Sequence, residues 1–165
     1  MIEVERAKLL ELAARVEAAT GADRQLADEA LLACGWQLNH DADDIAAWRI
    51  DPGTCEGEDG ADHPVTLDDR MRWACWYPPG SRPFRDSWID GHYRPNPLAS
   101  VDAAMSLVPK GHWAEGALGS ANDTWASIEI HAPTTYDPVG TSTAASPALA
   151  VTAAALRALA AQVPE

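Results

Sequence analysis

Apolar residues recur at helical spacing near both ends of the chain and alternate with polar ones in between. Over residues 3–19, Leu9, Leu12, Ala13 and Val16 share one face, with Leu10 widening it. This spacing predicts an amphipathic helix that Gly21 closes as a left-handed cap. Asp23 then caps a second helix through about Cys34 that buries Leu26, Ala30 and Leu31. Gly35 ends it, and Trp36 covers its end. Further on, Ser100 caps a short helix through Val108, stopped by Pro109 and Gly111. Two strands are expected over His112–Gly119 and Thr124–Ala132, joined into a hairpin by the turn from Gly119 to Asp123. In the second strand Trp125, Ser127, Glu129 and His131 alternate with Ala126, Ile128 and Ile130. Residues 133–145 read as a Pro/Thr/Gly/Ser loop. Ser146-Pro147 is a cap followed by proline at the first helical position, which starts a closing helix up to about Gln162. Its apolar face is Leu149, Ala153, Leu156 and Ala160, and its alanine density permits close approach to a sheet.

The middle of the chain is less periodic. The run His40-Asp41-Ala42-Asp43-Asp44 starts a short helical turn ending near Trp48. From Asp51 to His63, DPGTCEGEDGADH has no apolar face and reads as a solvated loop. Calcium is the alternative there, but the fixed acid spacing and terminal Glu of a calcium loop are missing.

These elements fit a single α+β domain over residues 1–165: a small layered helix/sheet/helix arrangement with a short antiparallel sheet and about four helices. Its parts are a helix pair at about 3–34, an intervening segment at 70–95, and a helix-hairpin-helix stretch at 100–162. The net charge of −13 opposes non-specific binding to a nucleic acid polymer. DNA mimicry is an alternative use of that charge, but solvation of helices and a loop also explains the spread acids. The N-terminus is charged and lacks a long apolar run, so neither a signal peptide nor a membrane span is expected. Cys34, Cys55 and Cys75 are odd in number without C-x-x-C spacing, which points to free thiols in a cytoplasm.

Arg70–Arg94, RMRWACWYPPGSRPFRDSWIDGHYR, departs from this acidic background. It holds five of the 12 Lys+Arg residues, six of the 11 aromatics and only two acids, Asp86 and Asp90. Five bases less two acids gives +3, while the rest of the chain carries 7 bases against 23 acids, or −16. In one reading, Trp73, Trp76, Tyr77, Phe84 and Trp88 are packing residues and the arginines neutralise an acidic surface. In the other, the rings are stacking faces and the guanidinium forks bind phosphate oxygens. The candidate ligand-binding residues are then Arg70, Arg72, Trp73, Trp76, Tyr77, Arg82, Arg85, Trp88, His92, Tyr93 and Arg94. Pro78-Pro79-Gly80 and Arg82-Pro83 suit an ordered binding loop.

No P-loop, nucleophile elbow, H-E-x-x-H or zinc-type Cys/His spacing occurs. Cys75 with His92 is the one thiol–imidazole candidate, and a small buried cysteine is the alternative. His63, His112 and His131 are single histidines, read as surface or partly buried polar residues rather than ligands. No catalytic residue, metal or cofactor is expected.

Three segments together resemble the phage ABA-sandwich domain family, proteins of bacteriophages and prophages. They are LLELAARVEAATGADRQLADEALLACGW (9–36), SVDAAMSLVPKGHW (100–113) and SPALAVTAAALRALAA (146–161). Lys110 and His112 depart from the family pattern, and residues 37–95 are not matched. The resemblance implies helix/sheet/helix layers and a phage origin, and brings no activity with it. Joined to the local chemistry, it leads to the expectation of a non-enzymatic phage accessory protein in the host cytoplasm. Such a protein would sequester a small anionic, nucleotide-derived host-defence signal, as a homo-oligomer that buries its ligand. The alternatives are a protein-interaction module that inhibits a host protein, and a hydrolase of the same ligand class.

Overall fold

The computed structural model describes residues 2–38, 47–57, 60–73, 76–79, 95–119 and 125–164. In chain order these hold α1 (Ile2–Ala18), α2 (Arg24–Ala33), β1 (Gln37–Leu38), β2 (Thr54–Glu56), β3 (Asp62–Pro64), α3 (Leu67–Trp73) and β4 (Trp76–Tyr77). There follow α4 (Val101–Met105), β5 (Trp113–Leu118), β6 (Ala126–His131), β7 (Pro138–Ala144) and α5 (Pro147–Gln162). Residues 47–50 are also helical. The protein is thus mixed α and β, with short antiparallel sheets. Among the described residues, no helix is long and apolar enough to cross a membrane. The chain divides into two compact units, Met1–Cys34 with Pro95–Glu165, and Gly35–Arg94.

The first unit is built around α5. Side-chain oxygens fix its helix starts: Asp23 accepts from the Leu26 N–H at 2.8 Å, Ser100 from Ala103 at 3.3 Å and Ser146 from Leu149 at 3.3 Å. On α5 the expected apolar stripe proves too narrow. Ala148 through Leu156, Ala158 and Ala160 are all buried, so the helix is enclosed on every side. It packs on β6 and β7, and also on α1 and α4. The expected face of α1 is buried at Leu9, Leu12, Ala13 and Val16, whereas Leu10 stays 41% exposed. The buried Thr152 hydroxyl donates to the Pro97 carbonyl at 2.9 Å, and Arg24 donates to that of Pro95 at 3.0 Å. These two bonds hold the segment leading into α4.

The sheet of this unit has the order β5-β6-β7, antiparallel throughout. Strand β7 corrects the loop expected at 133–145. Its Thr, Ser and Gly residues resemble a loop in composition, yet Gly140, Ser142 and Ala144 alternate inward against exposed Thr141 and Thr143. The small residues are needed because α5 lies so close. A Cβ at Gly140 would meet the Ala154 carbonyl oxygen at 2.2 Å and the Ala158 nitrogen at 2.7 Å. Near the same place Arg157 grips Glu17 of α1 with both guanidinium nitrogens, its Nη2 at 2.7 Å from Oε2, and donates to the Thr141 carbonyl at 3.2 Å. Burial pushes the Glu17 carboxyl up, but the Arg157 fork, together with the Ser142 hydroxyl and the Thr143 backbone, outweighs it and holds the group below its ordinary value.

In the second unit β1 pairs with β4, Gln37 opposite Tyr77 and Leu38 opposite Trp76. The stretch expected as a solvated loop, Asp51–His63, contains a small hairpin, β2 with β3, closed by the Gly57 N–H to the Ala61 carbonyl at 2.8 Å. Its strand residues are all exposed, which is why no apolar alternation marks them. Thr66 and Asp69 bond reciprocally at the start of α3: Asp69 Oδ2 accepts from the Thr66 N–H at 2.9 Å, and Thr66 Oγ1 accepts from the Asp69 N–H at 3.2 Å. This helix is not among those expected, since it is short and its second half runs into the aromatic segment.

Two outcomes follow. Gly140→Ala forces α5 away from β7 and lowers unfolding free energy by about 2–3 kcal/mol, the upper range of overpacking costs; denaturant titration of both proteins measures it, and an unchanged midpoint contradicts this account. The lowered Glu17 pKa contributes stability above the ordinary carboxylate value, 4.5, and that contribution is lost as pH falls through the depressed folded value. Glu17→Gln therefore lowers stability at neutral pH, and the difference from wild type shrinks as the medium is acidified through this range.

Candidate functional site

The residues singled out in Arg70–Arg94 do not share one fate. Arg82, Arg85, Trp88, His92, Tyr93 and Arg94 lie outside the described residues, as do Cys75 and Phe84. The backbones of Arg72 and Trp73 belong to α3, while their side chains are outside the description. Arg70 is placed fully. Its Nε donates to the Pro52 carbonyl at 2.8 Å and its Nη2 to the Thr54 carbonyl at 2.9 Å, and its guanidinium carbon sits 5.8 Å from the centre of the Trp48 ring. This arginine therefore ties α3 to the start of the β2–β3 hairpin through a directed fork and a cation–π contact. Trp76 is only 6% exposed and Tyr77 is half-buried. A buried indole offers no face to a base, so for Trp76 and Arg70 the packing reading accounts for what is seen.

A different constellation appears on the sheet of the first unit. Inward positions of β6, namely Ala126, Ile128 and Ile130, are buried, so Ser127, Glu129 and His131 point the other way. The register puts Trp113 opposite His131 and Glu115 opposite Glu129. These four side chains therefore share the face away from α5. The imidazole of His131 stacks on the Trp113 ring, with centroids 4.1 Å apart and planes 11° from parallel. His131 is only 3% exposed. Its Nδ1 lies 2.8 Å from the Tyr136 carbonyl oxygen, which only accepts, so Nδ1 carries a proton. The other nitrogen, Nε2, is buried without a hydrogen-bond partner. It stands 3.6 Å from Glu115 Oε1 and 3.6 Å from Glu129 Oε2. Ligand atoms of the three residues all lie within 4.8 Å of one another.

A β-bulge helps form this arrangement. Ile130 pairs with Gly140 but His131 pairs with Pro138, so β7 carries an extra residue at Val139. The displacement frees residues 132–137 to turn back, and the Tyr136 carbonyl reaches the imidazole. His131 corrects the reading of a surface or partly buried lone histidine. The alternation of Trp125, Ser127, Glu129 and His131 was visible in the sequence, but the register that sets Glu115 beside them was not.

The other candidates carry less. Burial pushes the Cys34 thiol up to about 12, which makes it a poor nucleophile. Cys55 is exposed on β2, directly across from His63. A concavity of about 820 Å³ beside the α1–α2 turn is lined by Arg15, Thr20, Asp23 and Gln25, but Arg15 is engaged by Glu29 at 2.6 Å. Compared with known protein families, curated proteins and solved structures, the chain finds no match.

Arg70→Ala removes two charge-assisted bonds to backbone carbonyls and lowers stability by about 1–3 kcal/mol. Amide hydrogen exchange around 52–56 and 66–70 checks this, with faster exchange expected there; unchanged protection would mean that the fork does not hold the hairpin.

Proposed function

We propose that the protein is a non-enzymatic binding protein for a small anionic, nucleotide-like ligand. The observation that carries this reading is the contrast between Arg70–Arg94, at +3, and the remaining chain, at −16. An acidic protein repels polyanions but still binds a small anion where cations are concentrated. With Arg70 engaged by carbonyls and Trp76 buried, the ligand contacts fall to Arg72, Arg82, Arg85 and Arg94, with Trp73, Tyr77, Trp88, His92 and Tyr93 beside them in sequence. Two arginine forks on phosphate oxygens and one ring on a base would suffice for a nucleotide.

The biological setting belongs to the same proposal. The resemblance of the two chain ends to phage ABA-sandwich proteins supports a phage accessory role in the host cytoplasm and helix/sheet/helix layering. Sequestering a nucleotide-derived defence signal fits that role, and a homo-oligomer supplies the burial that tight retention of a small ligand needs. A protein-interaction module is the second reading, favoured by the exposed rings of Trp113, Trp125 and Tyr136, at 37, 41 and 90%.

A thermal-shift screen against cyclic and linear nucleotides tests the proposal. A ligand at about a hundred times its Kd adds about 2.7 kcal/mol, a readily measured shift. Mass analysis after heating is expected to return the ligand intact, and recovery of products would mean a hydrolase. Arg82→Ala with Arg85→Ala should abolish the shift while leaving the unliganded unfolding temperature unchanged. Normal binding by that double variant would place the site elsewhere. No shift across the panel would contradict the proposal and favour a protein partner.

A further inference from the structure

We infer that Glu115, Glu129 and His131 form a binding site for a divalent transition-metal ion of the zinc class on the outer face of the β5-β6-β7 sheet. Three independent features point there. First, Glu115 and Glu129 are directly opposed across the β5–β6 ladder, where like charges repel. Second, the buried Nε2 of His131 lies between the two carboxylates without a hydrogen-bond partner. Third, the Nδ1–H to Tyr136 carbonyl bond occupies one ring nitrogen and leaves Nε2 as the one facing the carboxylates. That is the backbone bond metal-ligating histidines commonly make through their other nitrogen.

The geometry favours an ion over a plain ion pair. Both Nε2 to carboxylate distances are 3.6 Å, beyond the roughly 2.7–3.2 Å of an N–H to oxygen hydrogen bond. Ligands about 2.0–2.1 Å from a tetrahedral ion are about 3.3–3.4 Å apart, so small rotations of the two Glu side chains close the site. Those side chains are 59% and 47% exposed and free to rotate, while the Trp113 stack holds the imidazole. Two carboxylates and one neutral imidazole balance a 2+ charge. A nitrogen donor in the set selects zinc-class ions over calcium or magnesium, which take oxygen. The exposed side of the cluster leaves the remaining coordination positions to water or to a ligand atom.

The test uses the full chain without an affinity tag, stripped with a chelator and titrated with Zn²⁺, Mg²⁺ and Ca²⁺ by calorimetry and thermal unfolding. Wild type is expected to take one Zn²⁺ per chain at this site and to unfold at higher temperature with it, with Mg²⁺ and Ca²⁺ much weaker. Glu115→Gln and Glu129→Gln should each weaken Zn²⁺ by about tenfold or more, since even outer-shell partners of a ligand cost about 10–100-fold. Cys55→Ser should leave it unchanged. Both glutamine variants alter exposed side chains, so they remain informative if the buried His131→Ala fails to fold. In chelator the variants should be no less stable than wild type, because a repulsion has been relieved. Zn²⁺ binding untouched by both variants, a stronger response to Ca²⁺ or Mg²⁺, or no Zn²⁺ response with destabilised variants would each overturn the inference. The last of these would identify a plain ion pair. None of these outcomes bears on nucleotide binding, which is tested through Arg82 and Arg85.

Discussion

The close approach of α5 to β7 is the constraint on which the larger unit rests. A helix built almost wholly of Ala, Leu and Val has no polar face to give to water, so it must be enclosed. The enclosure is made by β6 and β7 on one side and by α1 and α4 elsewhere. Gly140 permits the contact, since any Cβ there would run into the helix backbone. The Arg157 fork on Glu17 then bridges α5 to α1 at the edge of the same core. With one sheet face committed to α5, the alternate residues of β5 and β6 are directed outward. The outer cluster of Trp113, Glu115, Glu129 and His131 is thus a consequence of how the core is packed.

That cluster shows how a three-stranded sheet organises chemistry on short side chains. Cross-strand pairing in the β5–β6 hairpin brings Glu115 to Glu129 and Trp113 to His131, residues 14 and 18 apart in the chain. The bulge at Val139 supplies the missing element, a carbonyl that fixes the imidazole tautomer. Tyr136 contributes only its backbone to this and keeps its ring almost wholly exposed. The two proposals also separate cleanly along the chain. The proposed cation site belongs to the unit of Met1–Cys34 with Pro95–Glu165, and the residues proposed to bind an anion belong to Gly35–Arg94.

Much of the fold was legible in the sequence because local rules agree with it. The caps at Asp23, Ser100 and Ser146 are where side-chain chemistry puts them, and the buried faces of α1 and α2 follow their apolar spacing. The strands β5 and β6 fall where the alternation puts them, while residues 120–124 of the expected turn lie outside the described residues. Strand β7 was missed because its inward residues are Gly, Ser and Ala, chosen for a close helix rather than for strand propensity. The β2–β3 hairpin was missed because it buries nothing and so leaves no periodic signal. The site was harder to read. Arg70 and Trp76 stood out by type, yet their partners Pro52, Thr54, Trp48 and Leu38 are set by tertiary contacts. His131 looked ordinary because its significance lies in a register with Glu115 that no local pattern encodes.

The helix-backed sheet brings the ligand atoms of Glu115, Glu129 and His131 together at one point on its outer face. Anomalous X-ray scattering at the zinc edge, from crystals of the full chain grown with Zn²⁺, tests it most directly. A peak bonded to His131 Nε2 and to one oxygen each of Glu115 and Glu129 is expected. A peak at the Cys55–His63 pair with none at the sheet face, or no peak at all, would contradict it.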